Sequence, residues 1–341
     1  MRICITGATG LFGAHVAREP LRAGLTVRCT RRGNAVHPGL ADEPIEWVPG
    51  DLGDQSALDK AFADCDSVLH CAGDISHWPT HAARVHAVNV IGTTRVIQAV
   101  RTAGVGRLVH CSTVDAIGLP PDFDAPPSTE DAPWNWDELG VANQYARTKY
   151  DAQRLVLEAA RDIDAVVVNP AFLLGGLDTK GGSSRLILEV LRGRMVACPP
   201  GRNNFASVAA VARGMLLARE HGRRGACYIL GGENLSYYEI VRRIQRVAGK
   251  SGPLLTLPAP MLRMAGKVSG LTGRLLGTSP DFNRATAAVA CMNHTFSSAL
   301  AVRELGYDPG DLDAAIAEGI AWFQSRGQAE TDASYASSSA P

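Results

Sequence analysis

Residues 3–13, ICITGATGLFG, constrain this chain more than any other stretch. Ile3-Cys4-Ile5 is a short apolar run of the kind that forms a buried strand. It stops at Thr6-Gly7, and beyond Gly13 apolar residues return at helical spacing with Val16 and Leu21. Gly7 permits a sharp turn out of the strand. Gly10 has no side chain, so a pyrophosphate can approach the backbone, and Gly13 lets the helix pack close to the strand. Free N–H groups and the positive end of the helix dipole would then face the phosphates. A bare three-glycine pattern also fits a surface turn. Its position after a strand and at the start of a helix points to nucleotide binding, with Thr9, Leu11 and Phe12 of the same turn as further contacts.

The following segments extend this reading. Residues 25–30 form a second strand, followed by Arg31 and Arg32. An acid there would bind both ribose hydroxyls of NAD, whereas an arginine suits the 2′-phosphate of NADP. Arg31 is therefore expected on that phosphate, NADP(H) is favoured and NAD(H) is the alternative; a solvated charge pair is the plain reading. Pro20 is expected to kink the last turn of the first helix. A third strand, 45–48, precedes Asp51 and Leu52. Asp51 can accept from an adenine amino group or cap the helix beginning near Ser56. A fourth, 67–70, runs into Cys71-Ala72-Gly73, whose small side chains let the backbone pass beside a cofactor. A helix over 83–103 carries Asn89, which needs partners in its apolar setting. A fifth strand, 107–110, runs into Cys111-Ser112-Thr113. The Pro- and acid-rich segment 119–143, with Trp134 and Trp136, is too long for an idle connection. A helix over 143–161 and a sixth strand over 165–168 follow, ending at Asn169 and Pro170.

This alternation predicts an α/β, Rossmann-like, doubly wound parallel sheet with helices on both faces. Ligands bind such sheets at the carboxyl ends of the strands, where Gly7, Arg31, Asp51, Cys71, Thr113 and Asn169 all fall. Beyond residue 170 the pattern loosens. Residues 172–182 read as a glycine-rich mobile loop that starts at Phe172. Helices are expected over 183–193, 208–221, 236–248 and 312–325, the third with Ser236 and Glu239 at capping-box spacing. Residues 254–277 are apolar, with Arg263, Lys267 and Arg274 along one side. They read as an amphipathic helix lying on its own domain, with a membrane-facing helix as the alternative. The expected division is a nucleotide-binding domain over 1–170, to which 208–230 returns, a smaller C-terminal substrate-binding region over 171–207 and 231–327, and a disordered tail over 328–341.

Charge and cysteine usage narrow the classes. Lys plus Arg and Asp plus Glu are equal at 34 each, so nothing argues electrostatically for nucleic acid. No apolar stretch approaches the ~20 residues of a membrane span, and the N-terminus lacks a signal-type leader. A soluble, cytoplasmic protein is expected. The eight cysteines are scattered without a CxxC pair, which reads as reduced buried thiols and no metal.

The chemistry-bearing element is Tyr145-Ala-Arg-Thr-Lys149. Tyr145 and Lys149 lie one helical turn apart and point the same way. A phenol near pKa ~10 is a poor acid–base at neutral pH, and an ammonium beside it lowers that value. Thr113 or Ser112 can bond a substrate oxygen while Tyr145 exchanges its proton. YxxxK alone is common by chance; a strand ending in Ser-Thr some thirty residues earlier gives it weight.

Taken together, TGATGLFG, CST and YARTK resemble the extended short-chain dehydrogenase/reductases, the NAD-dependent epimerase/dehydratase superfamily. VHCSTVDAIG, VVVNPAFLLGG and YILGGENLSYYEI are most similar to its dihydroflavonol-4-reductase-like branch, which includes hopanoid-associated epimerase-like proteins. The resemblance puts Thr113 at the catalytic hydroxyl beside Tyr145 and Lys149, with Lys149 also on the nicotinamide ribose. It implies an NAD(P)-dependent oxidoreductase acting on a small molecule with a carbonyl or secondary alcohol, and a homodimer paired through the helices over 83–103 and 143–161. Its alternatives are an NAD-dependent nucleotide-sugar epimerase or dehydratase and a non-catalytic nucleotide sensor. The chain departs from sugar-nucleotide members, with YARTK for YGxSK, LLGG for the YGP-like turn, and Val114-Asp115 where dehydratases have Asp-Glu. It also has FASVAAVA where relatives carry an acidic VHVDDVA. Trp78, Ser112, Trp134 and Phe172 are candidate substrate contacts, Phe172 is also expected at the cofactor with Asn169 and Pro170, and Trp136 is a further aromatic candidate.

Overall fold

The computed structural model describes residues 1–141, 143–278, 280 and 282–327. The expected tail over 328–341 lies outside the described residues. The first half alternates strand and helix: β1 (Arg2–Thr6), α1 (Leu11–Arg22), β2 (Thr26–Arg31), β3 (Ile45–Pro49), α2 (Gln55–Phe62), β4 (Ser67–His70), α3 (Ala82–His86), α4 (Gly92–Ala103), β5 (Arg107–Cys111), α5 (Gln144–Ala159) and β6 (Ala165–Pro170). The second half contains β7 (Phe172–Leu174), α6 (Arg185–Leu191), β8 (Ala197–Cys198), β9 (Arg202–Ser207), α7 (Val208–His221), β10 (Cys227–Leu230), β11 (Glu233–Ser236) and α8 (Tyr237–Val247). It ends with β12 (Leu255–Thr256), α9 (Ala259–Leu276), α10 (Arg284–Val289), β13 (Asn293–His294), α11 (Ala299–Leu305) and α12 (Leu312–Ser325).

Seven strands form one sheet in the order β10-β6-β5-β4-β1-β2-β3, with every pairing parallel. A parallel sheet must be covered on both faces, and the strand sequences are apolar on both sides accordingly. Ile3, Ile5, Leu69, Val109, Val166 and Val168 join one core with Val16 and Met215, under α1 and α7. Their neighbours Cys4, Val68, Leu108, Ala165 and Val167 join a second core with Phe62, Val96 and Val156, under α2, α4 and α5. Strand order reverses between β1 and β4, so the turns after these two strands meet in the crevice where such sheets bind nucleotides.

A smaller sheet has β11 antiparallel to β9, with β7 and β13 parallel to it, and packs with α6, α8 and α12 around Phe205, Ile240, Ile316 and Phe323. Strand β7 corrects the expected loop over 172–182: Phe172–Leu174 pairs with Phe205–Ser207. The remainder is tied down. His15 Nε2 donates to Gly176 O at 3.0 Å, His37 Nε2 to Leu177 O at 2.9 Å and Trp322 Nε1 to Asp178 O at 3.1 Å. Long-range contacts hold what its glycines would leave loose.

Two further details differ from the sequence reading. Asp54, not Asp51, caps α2, its Oδ1 accepting from Ala57 N. The helix expected over 83–103 is interrupted by a π turn, Ala87–Ile91, centred on Asn89. Pro20 lies inside the last part of α1, Leu11–Arg22, where the sequence placed it.

Candidate active site

The glycine turn is as tight as its sequence demands. Gly7 has φ +80°, and a Cβ there would stand 2.6 Å from Ala72 N, so the turns after β1 and β4 touch through backbone alone. A Cβ on Gly13 would stand 2.2 Å from Gly7 O, whereas one on Gly10 would meet only Gly7 O, at 3.5 Å. Gly10 is the N-cap of α1 without a side-chain cap, so the amides of Leu11, Phe12 and Gly13 have no intrahelical acceptor. Close backbone packing behind and free amides in front fit a dinucleotide pyrophosphate. Thr9 lies in the same turn. Arg31 is the last residue of β2, beside this turn, and Arg32 is exposed. Asp51 follows β3 with one carboxylate oxygen accepting from Gly53 N at 2.7 Å, and Leu52 packs against Gly92. Cys71 is half-buried with its thiol pushed up by burial, and Ala72 N donates to Thr6 Oγ1 at 3.3 Å.

Beyond the sheet centre, β5 delivers Thr113 and α5 delivers Tyr145. Ser112 N donates to Val168 O, carrying the ladder one residue past β5. Thr113 then caps a short 3-10 turn, Val114–Ala116, its Oγ1 accepting from Asp115 N. Asn143 caps α5 with Oδ1 accepting from Tyr145 N and Ala146 N, which fixes the start of the helix. The Thr113 side chain is close enough to the Tyr145 phenol to lower its pKa. Lys149 is buried and its Nζ donates to Cys111 O at 2.6 Å.

The electrostatics correct one expectation. Burial pushes the Tyr145 phenol well above its ordinary value, and the Asp115 and Cys111 groups push the same way; the Thr113 side chain lowers it. Lys149 does not offset this. Burial lowers its own pKa, and its ammonium is held by the Cys111 carbonyl. Sharing a helix face is not enough for the ammonium to govern the phenol.

Several predicted contacts are also held by packing and hydrogen bonds within the chain. Asn169 is fully buried, its Nδ2 donating to Thr113 O at 2.8 Å and Gln153 Oε1 at 2.7 Å, so it braces Thr113 from behind. Pro170 is buried at the β6–β10 pairing. Ser112 is buried beside Thr113. Trp134 stacks on Tyr150 at 4.7 Å with Arg147 over its ring and its Nε1 donating to Asp115 O at 3.4 Å, and Trp136 is fully buried. Trp78 is buried, its carbonyl accepting from Gln144 Nε2 at 2.5 Å. Phe172 meets Phe205 edge-on at 5.2 Å.

Four neighbours of the site lay outside the predicted contacts, two of them, Asp115 and Asn89, noted in the sequence for other reasons. The His77 ring lies 5.2 Å from that of Tyr145, and its Nδ1 is 3.1 Å from Asn143 Oδ1. Asp115 is half-buried, its carboxyl pushed up to about 7 by burial, and it raises both Tyr145 and Tyr237. Tyr237 meets Phe205 at 5.7 Å, and its hydroxyl accepts from Asn203 Nδ2 at 3.1 Å. The one available signal was Asp115, the acid retained two residues after Thr113. Asn89 links the loop after β4 to α5: its Oδ1 accepts from Asp74 N, and its Nδ2 donates to Asp74 O and Thr148 Oγ1.

The model of the NAD dependent epimerase/dehydratase family matches residues 3–231. The chain belongs to that family. Relatives across nearly its whole length include a putative dihydroflavonol 4-reductase of Synechocystis sp., 31% identical over 96% of both chains. Another is sterol demethylase protein B of Methylococcus capsulatus, 30% identical over 96% of this chain and 99% of the relative. Among solved structures, that of gox2253 matches with a TM-score of 0.82 and 32% identity, covering 96% of this chain and 98% of that one. This member of the epimerase/dehydratase family is an NAD(P)-dependent oxidoreductase of the extended short-chain dehydrogenase/reductase type.

Proposed function

We propose that this enzyme is an NADP(H)-dependent carbonyl reductase or alcohol dehydrogenase that uses Thr113, Tyr145 and Lys149 on a small-molecule carbonyl or secondary alcohol. Thr113 at the end of β5 facing Tyr145 on α5, at the carboxyl ends of the sheet that hold the glycine turn, carries this reading. Thr113 donates a hydrogen bond to the substrate oxygen. Tyr145, whose burial keeps the phenol protonated, donates its proton to that oxygen as it gains charge, and takes it back in the oxidising direction. Lys149 holds the nicotinamide ribose hydroxyls and braces the end of β5 through Cys111. The cofactor, when bound, supplies or accepts the hydride. Phe172, Phe205 and Tyr237 support an apolar or aromatic substrate.

The same proposal includes nucleotide binding by residues 1–170 with 208–230, substrate binding by 171–207 and 231–327, pairing of two copies through α3–α4 and α5, and a cytoplasmic location. Tyr145→Phe is expected to lower turnover ~10²–10⁴-fold with little change in cofactor affinity. Single-turnover assays on a carbonyl panel measure this, and a loss of only a few-fold would remove Tyr145 from its role. Retained NAD(H) without net turnover would favour the epimerase reading instead.

Arg31 is the proposed 2′-phosphate contact, because a guanidinium binds phosphate in a bidentate way where an acid would repel it. A charge-assisted contact of roughly 1.5–3 kcal/mol gives a preference for NADPH of about 10- to 100-fold. The ratio of catalytic efficiencies for the two cofactors should collapse in Arg31→Ala. A wild type preferring NADH would overturn the assignment.

A further inference from the structure

Helix α9 carries its large apolar residues on the side away from its own protein. Its buried positions are Leu262, Gly266 and Gly273. A Cβ on Gly266 would stand 2.5 Å from Ala287 Cβ, and one on Gly273 2.6 Å from Pro280 Cδ. The backbone thus lies too close to the α10 side for large side chains to fit between. Met261, Met264, Val268, Leu271 and Leu275 recur every three or four residues and share the opposite face. Leu271 is 60% exposed and Leu275 77%. Leu255, Leu276 and Phe282 are exposed nearby, so eight of the fifteen exposed large hydrophobics among the described residues fall within 255–282. That concentration is a patch, and a patch marks an interaction site. It also corrects the expectation of a helix lying apolar face inward.

Charge identifies the occupant. No Asp or Glu occurs between Pro253 and Pro280, whereas Arg263, Lys267 and Arg274 do. Arg263 and Lys267 are exposed and, by helical spacing, share one flank of the apolar stripe. A second copy of the chain is a poor match, because a self-paired face would oppose these cations with no carboxylate on the helix to offset them. No described helix is long and apolar enough to cross a membrane. The α9–α10 hairpin adjoins the candidate site, where Ala288, Val289 and Met292 pack with Val114, Trp136 and Ala146.

We propose that α9 docks the enzyme on an anionic phospholipid bilayer. The apolar stripe enters the interface and the basic flank meets the headgroups. This docking does not depend on which carbonyl the enzyme reduces. The full-length protein is mixed with vesicles of phosphatidylcholine alone, or of phosphatidylcholine with phosphatidylglycerol, and floated on a density gradient. Wild type should float with the anionic vesicles and be released by salt. A double variant, Leu271→Ser with Leu275→Ser, should partition at least ~10-fold less, and Lys267→Glu several-fold less, both with unchanged melting temperature. Wild type that stays unbound, that prefers neutral vesicles, or whose double variant floats equally well would overturn the proposal. So would a wild-type dimer in light scattering that the double variant converts to monomer, since a second copy would then own the face.

Discussion

Burial raises the Asp115 carboxyl toward neutrality beside the candidate site. This carboxyl titrates at about 7 because burial disfavours the anion, and when ionised it raises the phenols of Tyr145 and Tyr237. In the unfolded chain the same group titrates near ~4, so between these values the folded state holds the extra proton. Asp115 therefore costs stability progressively as pH rises from ~4 to about 7. Asp115→Asn removes that cost, so its melting temperature relative to wild type should rise between about pH 5 and about pH 8. Thermal melts at both pH values check this; an equal difference at the two would leave no room for a raised carboxyl. At this scale the sequence was legible where local spacing decides. The position of Thr113 at a strand end and the YxxxK turn could be read directly. Asn169 could not be assigned, because a strand-end position does not say which way the amide turns, and it turns to Thr113 and Gln153. Nor could the contact of Tyr237 with Phe205, which depends on a second sheet formed from distant segments.

Among the elements, the β1–α1 turn is the most closely specified. Its three glycines have unequal reasons to be glycine. Gly13 faces the Gly7 carbonyl at a distance no Cβ tolerates, whereas Gly10 has only an ordinary contact. Gly13→Ala should lose about 1–3 kcal/mol of stability and most NAD(P) binding, because backbone rather than a movable side chain must give way. Gly10→Ala should melt close to wild type and lose affinity only. Denaturant titration of the two variants, with cofactor titration, separates these effects; matching midpoints would mean that packing is not what fixes Gly13. Other elements were harder to read. The π turn at Asn89 looks like ordinary helix in sequence, since the partners of Asn89, Asp74 and Thr148, lie outside that helix. Helix α9 was read as amphipathic, but periodicity tells only that two faces differ, and here the glycines face inward.

At the scale of the whole molecule, the nucleotide-binding half is not closed by its own sequence. Strand β10 and helix α7 come from beyond residue 170, yet they complete the sheet and one of its two cores. A chain ending at residue 170 leaves β6, buried along its whole length, as a bare edge and strips α7 from α1. Such a fragment is expected to show no cooperative thermal transition and to aggregate, in contrast to the full chain. Circular dichroism melts and gel filtration check this, and a sharp melt of the fragment would make the second half dispensable for folding. The same arrangement has a consequence for synthesis. Leu230 leaves the ribosome about sixty residues after Pro170, a delay of about 3–12 s at ordinary elongation rates. Throughout that interval the nascent chain presents one edge of β6 unpaired, with the apolar run Ala165–Val168 along it. On a crowded polysome the same strand of the neighbouring chain is the nearest competitor for β10's place.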